Sequence, residues 1–570
     1  MDGLRVHFEV YVRKTSGAGW TLEMACEDRA LAVATAKDLV AEGRVAAAKV
    51  TKEALDEETR EFKTATILNL GAPETAHKPK VRVEAEPLCV TPQDLYTPHA
   101  RERIGRLLEG WLERNHATAF ELLHRPDLVE QLEASGIDLQ HAIQKIAIPE
   151  AQARGATVHE LIRVFHALVE RAIERLLRDA RKGVLPDVDK EGFAATAARV
   201  GKDPDRAYLL GAGVAACIAP ALSWAEKVAR LLDLADAAPE AGPSRALAIA
   251  TLEQPLAEIL GSKPGLEDIL GKGMDLGAKL GAMTRLAGGR AVETLVRTEA
   301  SVAKVMPPLS PAAERLARWL GAEDFADVRA ALGRRILREL NGPQRLRPGD
   351  AAGEIDILRA LAMSLTAASG KLLPLEDVQA AFSARSRMLV TGDFVEAYLG
   401  QGQSAREEVA ALVWLTENVI GGANKRQAGR WLHAVIAALR FEKEIRGGPD
   451  SAAVRLGALA ALQRSVGRCG LVEEDFVPIQ TKLGDLGGLV ESHARLAASL
   501  AKANAPAVHR LTLLLKLAIG ETAPLGPAAN RARAEALKLV RHDATRSELA
   551  NAPEQVEAVR ELIQQAGLAA

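Results

Sequence analysis

The sequence predicts a mostly α-helical protein in which a small α+β domain of order β-β-α-β-β precedes a multi-helix body, built as a bundle or an irregular α-solenoid. Three observations predict this class. Apolar residues alternate with a period of two near the start of the chain, and from residue 100 onward they recur with the period of 3.6 that is typical of helices. The 570 residues are 48% apolar and rich in alanine, with only 6 Trp, 4 Tyr and 10 Phe, which indicates large cores built from small side chains.

The first two predicted strands form a hairpin. Apolar and polar residues alternate over 4–13, and a second alternation covers 20–26. A period of two over this length is typical of a strand with one buried face. The turn-like segment 16–19, which holds two glycines, lies between the two runs and indicates a hairpin connection.

One helix and two more strands complete the predicted first domain. Asp28 is a suitable N-cap for a helix that continues through Val40 and ends near Gly43. Strand-like runs then occupy 45–51 and 62–70, joined by an acidic turn.

A single helix can cover only one face of this small sheet. The opposite face therefore points toward solvent or a partner, and it carries Arg5, Glu9 and Arg13. These three residues are candidate partner contacts.

Breaks dense in Gly and Pro divide the chain into predicted domains. The segment 71–99 is rich in Pro and charge, and similar breaks occur at 237–244 and 341–353. The predicted organisation is a small α+β domain 1–72, a linker 73–99, and helical domains 100–236, 245–340 and 354–570.

Local helix signals support the helical body. The pairs Ser404/Glu407 and Thr545/Glu548 both have the spacing of a capping box. Three glycines recur at every fourth residue, a spacing that lets a second backbone approach one helix edge; they are Gly273, Gly277 and Gly281.

Charge and cysteine usage limit the class of protein. Seventy-three Lys and Arg nearly balance 75 Asp and Glu, so the formal net charge of −2 argues against a nucleic-acid partner. The chain starts without an apolar signal segment, and its four cysteines form no CxxC pair, which together predict a cytoplasmic protein. The excess of Arg over Lys with so much alanine suggests a bacterial source.

One uncharged run raises the question of a membrane span. Residues 207–225 contain no charge and have nearly the length needed to cross a bilayer. Many of them are alanine, Pro220 interrupts the run, and the flanking charges show no bias toward one side. A helix buried on all sides in a helical core is therefore the preferred interpretation.

Two Glu/His pairs have a spacing that occurs among metal ligands. Glu113/His116 and Glu121/His124 both have the ExxH spacing used in di-iron bundles. They lie only eight residues apart, so they cannot face each other from opposite helices in the way that such a site requires. No metal site is predicted from them.

Motifs for nucleophilic and phosphate chemistry are weak or missing. Ser301/Lys304 and Ser499/Lys502 match SxxK, but the SDN and KTG elements that accompany it are absent. The sequence also contains no P-loop, no GxSxG elbow and no GxGxxG after a strand. We therefore predict no catalytic residue and no cofactor.

A basic cluster gives a second set of candidate contacts. Lys425, Arg426 and Arg430 lie on one predicted helix and are suited to a phosphate group or an acidic partner. Solvated helix faces are the alternative explanation of such a cluster.

The functional prediction rests on these absences and on the open sheet face. We expect a cytosolic bacterial scaffold or regulatory adaptor that binds protein partners through its N-terminal sheet and its helical surfaces. The alternative is an enzyme or small-ligand sensor whose site lies between helices and is formed by residues far apart in sequence.

Overall fold

A computed structural model of the chain describes residues 6–15, 20–55, 62–71, 89–322, 324–551 and 553–568. The chain forms two compact units, Met1–Leu88 and Cys89–Ala570. Each unit has a separate set of buried apolar side chains. The predicted class, a small α+β domain followed by a mostly α-helical body, is confirmed.

The first unit holds a four-stranded antiparallel sheet with one helix. Its elements are β1 Val6–Arg13, β2 Thr21–Cys26, α1 Arg29–Ala41, β3 Ala47–Leu55 and β4 Phe62–Gly71. The strand order is β2-β1-β3-β4, so the two central strands are neighbours in space although β2 and α1 separate them in sequence. The predicted element order is confirmed.

The alternation of β1 explains how the sheet and helix pack. Val10 and Val12 are buried on the face that packs against Ala32 and Ala36 of α1. Asp28 begins the helix as predicted, because its carboxylate accepts hydrogen bonds from the Ala30 amide at 2.7 Å and the Leu31 amide. The other sheet face remains without a covering helix in the described part of this unit.

Several predicted features lie outside the described residues. They are Arg5, the hairpin turn 16–19, the acidic turn 56–58 and the linker segment 73–88. Residues 89–99, the part of the predicted linker that the structure describes, are not all extended. They contain a 3-10 helix, Pro92–Tyr96, and the next helix begins at Pro98. Thr97 and the proline at the first helical position explain this early start.

In the described part of the second unit, thirty α-helices, α2 to α31, follow the 3-10 helix. The first ten are α2 Pro98–Leu107, α3 Glu109–Arg114, α4 Ala119–His124, α5 Pro126–Ser135, α6 Ile137–Arg154, α7 Val158–Arg181, α8 Val188–Glu191, α9 Phe193–Val200, α10 Arg206–Ile218 and α11 Trp224–Asp236. The next ten are α12 Gly242–Gly261, α13 Lys263–Leu270, α14 Leu276–Ala287, α15 Gly289–Thr298, α16 Ala300–Ala303, α17 Pro311–Gly321, α18 Ala326–Leu340, α19 Ala351–Ala367, α20 Leu375–Leu389 and α21 Gly392–Leu399. The last ten are α22 Ala405–Asn418, α23 Gly422–Ala437, α24 Leu439–Gly447, α25 Ala452–Arg468, α26 Glu473–Ala494, α27 Leu496–Ala501, α28 Ala507–Ala518, α29 Pro527–Val540, α30 Asp543–Asn551 and α31 Pro553–Gln565.

One connected set of buried apolar side chains runs through this unit from Leu108 to Ala566. It includes residues from all three predicted helical domains. The predicted breaks do fall at helix ends: 237–244 covers the connection from α11 into the start of α12, and 341–353 that from α18 into α19. The division into three domains stays a prediction.

The uncharged run 207–225 is not one helix. Within it α10 ends at Ile218, before Pro220, and α11 begins only at Trp224. Ten of the thirteen α10 residues are buried against other helices, which agrees with the interpretation as a buried helix. Among the described residues, no helix has both the length and the apolar character that a bilayer crossing requires.

Glycines allow close helix packing in α14, as expected for two of the three. A Cβ on Gly277 would lie 2.7 Å from Ile357 of α19, and one on Gly281 would lie 3.2 Å from Met306. The prediction that Gly273 lies on the same helix is wrong. Gly273 precedes α14, and its φ of +77° lies outside the range of a right-handed helix.

Carboxylates from one helix repeatedly cap the N-terminus of another. In each case the acid accepts a hydrogen bond from a backbone amide that has no partner within its own helix. The acids and the amides they bind are Glu258 with Phe120, Asp268 with Ala225, Glu253 with Asp327, Glu444 with Ala405, and Glu548 with Val508.

This arrangement corrects one of the two predicted capping boxes. The Ser404/Glu407 box is confirmed at the start of α22. The Thr545/Glu548 box is wrong, because α30 begins at Asp543 and Thr545 is buried inside it. The Glu548 carboxylate instead caps α28 at the Val508 amide.

Candidate functional site

A cleft of about 520 Å³ opens at the surface of the second unit between α21, α22, α23 and α24. We call it the groove. Its floor and walls are mainly apolar, and the side chains concerned are Val395, Leu399, Leu412, Trp431, Val435 and Phe441. Its polar rim consists of Asp393, Glu396, Glu408 and Arg440.

The groove combines a packed floor with an accessible wall. Leu412 and Phe441 are 0% and 1% exposed and belong to the main core. Leu399, Trp431 and Val435 are only partly buried, so apolar surface remains in contact with solvent. Beside the groove, Leu439 is 72% exposed at the junction of α23 and α24. An apolar surface of this kind, rimmed by charge, is typical of an interaction site.

The Trp431 indole is held in position. Its Nε1–H donates a hydrogen bond to the carbonyl of Val390 at 3.1 Å. This bond fixes the ring against the segment before α21, and the residue as a whole stays partly exposed. A rigid, partly exposed Trp is well suited to act as an anchor in binding.

Two caps keep the helices around the groove in place. At the N-terminus of α22, the Ser404 hydroxyl accepts from the Glu407 amide at 3.2 Å. On the same helix end, Glu444 of α24 accepts from the Ala405 amide at 2.7 Å and from Arg406 at 3.4 Å. Two walls of the groove are therefore joined directly by hydrogen bonds.

The rim of the groove is acidic. Arg440 pairs with Glu408 at 2.9 Å and also donates to the carbonyl of Gln403. Asp393 and Glu396 are exposed, and within the described chain their carboxylates have no ion pair or hydrogen bond. Three carboxylates against one guanidinium leave a formal excess of two negative charges.

Lys425 has a role inside the protein. Its ammonium donates to the carbonyls of Thr416, Glu417 and Cys469, at 3.0, 3.3 and 2.6 Å. Burial lowers the pKa of this amine, and the Cys469 and Glu417 groups oppose that effect. The side chain thus ties the C-terminal end of α22 to the loop after α25, and its predicted contact with a partner stays a prediction.

Arg426 and Arg430 are exposed on α23, one helical turn apart. They do not line the groove, which uses Trp431, Ala434 and Val435 of the same helix. The structure therefore separates the predicted basic cluster from the apolar cleft, and a contact of these two arginines with a partner stays a prediction.

Glu9 and Arg13, the two predicted contacts of the N-terminal sheet that the structure describes, lie in a cluster of charged and aromatic side chains. Glu9 accepts a hydrogen bond from the Tyr11 hydroxyl at 2.6 Å. The Arg13 guanidinium lies over the Trp20 ring at 4.6 Å, and the Lys49 ammonium lies 5.0 Å from both the Trp20 and Tyr11 rings. These cation–π contacts arrange the open face, and partner binding there stays a prediction.

The two Glu/His pairs end up in different places. Glu113 is on α3, and the other pair, Glu121 and His124, is on α4 in the core. His116 follows α3 with a φ of +46°. In the part of the chain that the structure describes, no three His, Cys, Asp or Glu residues lie close enough together to hold a metal ion.

Glu121 instead forms a buried ion pair. The Lys227 ammonium of α11 lies 2.7 Å from both of its carboxylate oxygens and also donates to the carbonyl of His116. Burial lowers the pKa of Lys227, and Glu121 opposes that change. Both side chains are nearly inaccessible to solvent, so the pair joins helices rather than meeting a ligand.

His124 is buried next to this pair. Its Nδ1–H donates to the carbonyl of Phe120 at 2.7 Å, and its ring packs on Phe120 and Tyr96. Burial lowers the pKa of His124 to about 4, so the ring is neutral at pH 7. A Cβ on Gly211 would overlap the Nε2 edge of this ring, which explains the glycine inside α10.

The sequence patterns do not predict the groove. The groove-lining residues of α23 are Trp431, Ala434 and Val435, which follow a helical stripe, and Ala438 lines the groove just after the helix ends. A buried core stripe has the same spacing, so periodicity cannot show that one end of it is open. The unpaired acids of α21 carry no motif either.

Comparison of the chain with protein-family models, with curated proteins and with solved structures found no match.

Proposed function

We propose that the chain is a cytosolic bacterial scaffold or regulatory adaptor, without catalytic activity of its own, that binds a protein partner in the groove. The observation that carries the proposal is the solvent-open apolar cleft between α21, α22, α23 and α24, with the fixed Trp431 in its wall. Apolar grooves between helices are a common site for amphipathic helices of partner proteins.

The distribution of buried titratable groups supports binding rather than catalysis. The histidine and tyrosines with the most strongly shifted pKa values, His124, Tyr96 and Tyr208, are packed on one another near the start of the second unit. Their polar atoms bond to the protein: Tyr96 donates to the Leu123 carbonyl and Tyr208 to Asp179. None of the three lines the groove.

The experiment compares partners of the wild-type chain with those of a variant whose groove is blocked. Ala434 is exposed and lines the groove, so Ala434→Glu places a larger, charged side chain in it without disturbing the core. Ala167→Glu is the matched control, since Ala167 is an exposed alanine within α7. The tagged proteins are purified from the source organism, and co-purifying proteins are quantified by mass spectrometry.

We expect at least one protein to be recovered with wild type and Ala167→Glu and lost with Ala434→Glu. Its direct binding to the purified full chain is then measured by titration calorimetry. The proposal is wrong if every co-purifying protein is retained by Ala434→Glu, or if the groove-dependent protein does not bind directly.

A small apolar ligand in the groove is the second candidate function. The volume of about 520 Å³ supports it, because small-molecule sites typically measure about 300–1,000 Å³. Native mass spectrometry of the chain purified from its source tests this directly. A bound small molecule that Ala434→Glu removes and Ala167→Glu retains would favour the ligand-sensor alternative over the adaptor.

A further inference from the structure

We propose that the occupant of the groove is an amphipathic helix whose polar edge carries Lys or Arg at positions three or four residues apart. This inference rests on the proposed function and specifies the chemistry of its partner. Its basis is the charge of the rim together with the shape and polarity of the floor.

Two acids on α21 form part of the rim of the groove. Asp393 and Glu396 are three residues apart, so they lie on the same side of the helix, about 5–6 Å apart at their Cβ atoms. Both are exposed, and both line the groove. Two cations at the same helical spacing on a partner would meet both carboxylates at once.

Among the described residues that line the groove, no cation neutralises these acids. Arg440 is the basic residue of the lining, and its guanidinium is already shared between Glu408 and the Gln403 carbonyl. The excess of two negative charges on the rim is therefore available to a partner. A phosphate group or an acidic peptide would be repelled at this position.

The floor of the groove is apolar and suits one face of a helix. Apolar side chains from four helices meet there, and the packed positions Leu412 and Phe441 give it a preformed shape. Trp431 is fixed by its bond to Val390 and provides a rigid wall. A helix that presents apolar residues at i, i+3, i+4 and i+7 can bury one stripe against such a floor. Its adjacent polar edge then lies along the acidic rim.

Two synthetic peptides test the inference on the full chain. Both are about 18 residues long, enough for a helix to be populated, and both have the same Leu/Ala apolar face. One carries Lys at every polar position and the other carries Glu. Each bears fluorescein, and binding is followed by fluorescence anisotropy at low and at physiological ionic strength.

The decisive variant reverses the charge of the rim. Asp393→Lys/Glu396→Lys is compared with Glu130→Lys/Glu133→Lys, which makes the same charge change at the same spacing on exposed positions of α5. This control separates binding to the groove from attraction to the chain as a whole. Circular dichroism of each variant checks that the helices are retained, and Asp393→Asn/Glu396→Gln provides a milder change of the same two side chains.

We expect the Lys peptide to bind wild type at least about fivefold more tightly than the Glu peptide at low ionic strength. The rim variant should reverse this preference, and the α5 variant should retain it. Added salt should reduce the difference between the two peptides, because the pairs are exposed.

Equal binding of the two peptides would overturn the inference, as would a preference that the rim variant leaves unchanged. Binding of neither peptide would also overturn it. In those cases the proposed function is judged separately, by whether a native partner is lost with Ala434→Glu, so the two failures are distinguishable.

Discussion

Replacing Lys227 by Met should open the start of the helical body locally. Lys227 and Glu121 are 2% and 0% exposed, and the ammonium lies 2.7 Å from both carboxylate oxygens. The Met side chain has a similar length and no charge, so the carboxylate of Glu121 would be left in the core without its main cation.

The size of the effect follows from what remains around Glu121. Removing one partner of a buried ion pair typically destabilises a protein by about 3–5 kcal/mol. Here Arg125 still contacts the carboxylate at 3.2 Å, and the Thr118 amide still donates to it at 3.0 Å. We therefore expect a destabilisation at the lower end of this range, about 3 kcal/mol. This corresponds to a roughly 100-fold increase in the equilibrium constant for local opening.

Hydrogen exchange measured by mass spectrometry is the suitable assay, because unfolding of a chain this long need not be two-state. Amides of α4 and α11 should exchange about 100-fold faster in Lys227→Met than in wild type. Adding Glu121→Gln removes the stranded charge, so the double variant should recover most of the protection.

Lys190→Met is the matched control, since Lys190 pairs with Asp187 at 2.6 Å but both side chains are largely exposed. It should leave the exchange of α4 and α11 unchanged. The reasoning is refuted if Lys227→Met exchanges within a few-fold of wild type, or if the double variant is no better protected than the single one.

Three further predictions concern packing, pH and capping. The pKa of His124 is about 4 in the folded chain and 6.5 in its ordinary state, so the unfolded segment takes up the proton first and stability falls as pH drops from 6.5 toward 4. His124→Asn should remove about 2 kcal/mol of this loss at pH 5, measured by hydrogen exchange as the pH dependence of the free energy of local opening of α4. Gly487→Ala should lower the free energy of local opening of α26 by about 1–3 kcal/mol, because its Cβ would overlap the Pro524 ring. Gly467→Ala on α25, with open space around it, should be neutral or slightly stabilising when the same hydrogen-exchange measurement is made on α25. Glu444→Ala removes the acceptor of the Ala405 and Arg406 amides at the start of α22. Their hydrogen exchange should become about 5- to 30-fold faster, while exchange in α7 stays at the wild-type rate.

The parts of the fold that depend on local sequence were predicted well. The alternation of β1 and the Asp28 cap identify a strand and a helix start because each depends on a few adjacent residues. The Thr545/Glu548 box failed for the opposite reason. Its spacing is correct, but the amides that Glu548 caps belong to α28, forty residues earlier in the chain.

The candidate site could not be predicted for a related reason. The apolar stripe of α23 looks the same in sequence whether it is fully buried or ends in an open cleft. Lys425 shows the reverse case, since a lysine expected on the surface donates to three backbone carbonyls instead. Which charges are free to meet a partner depends on helix positions in space.

The capping pattern also bears on how the groove is maintained. A small-residue interface between helices provides shape but little direction, because dispersion contacts tolerate sliding along an alanine-rich surface. A carboxylate that caps a neighbouring helix accepts from particular amides, so it fixes one register of that helix. Glu444 does this for α22 at the groove, just as Glu258 does for α4 through the Phe120 amide. Long-range caps therefore help to fix helix positions in this chain, and the groove depends on those positions because its walls come from four separate helices.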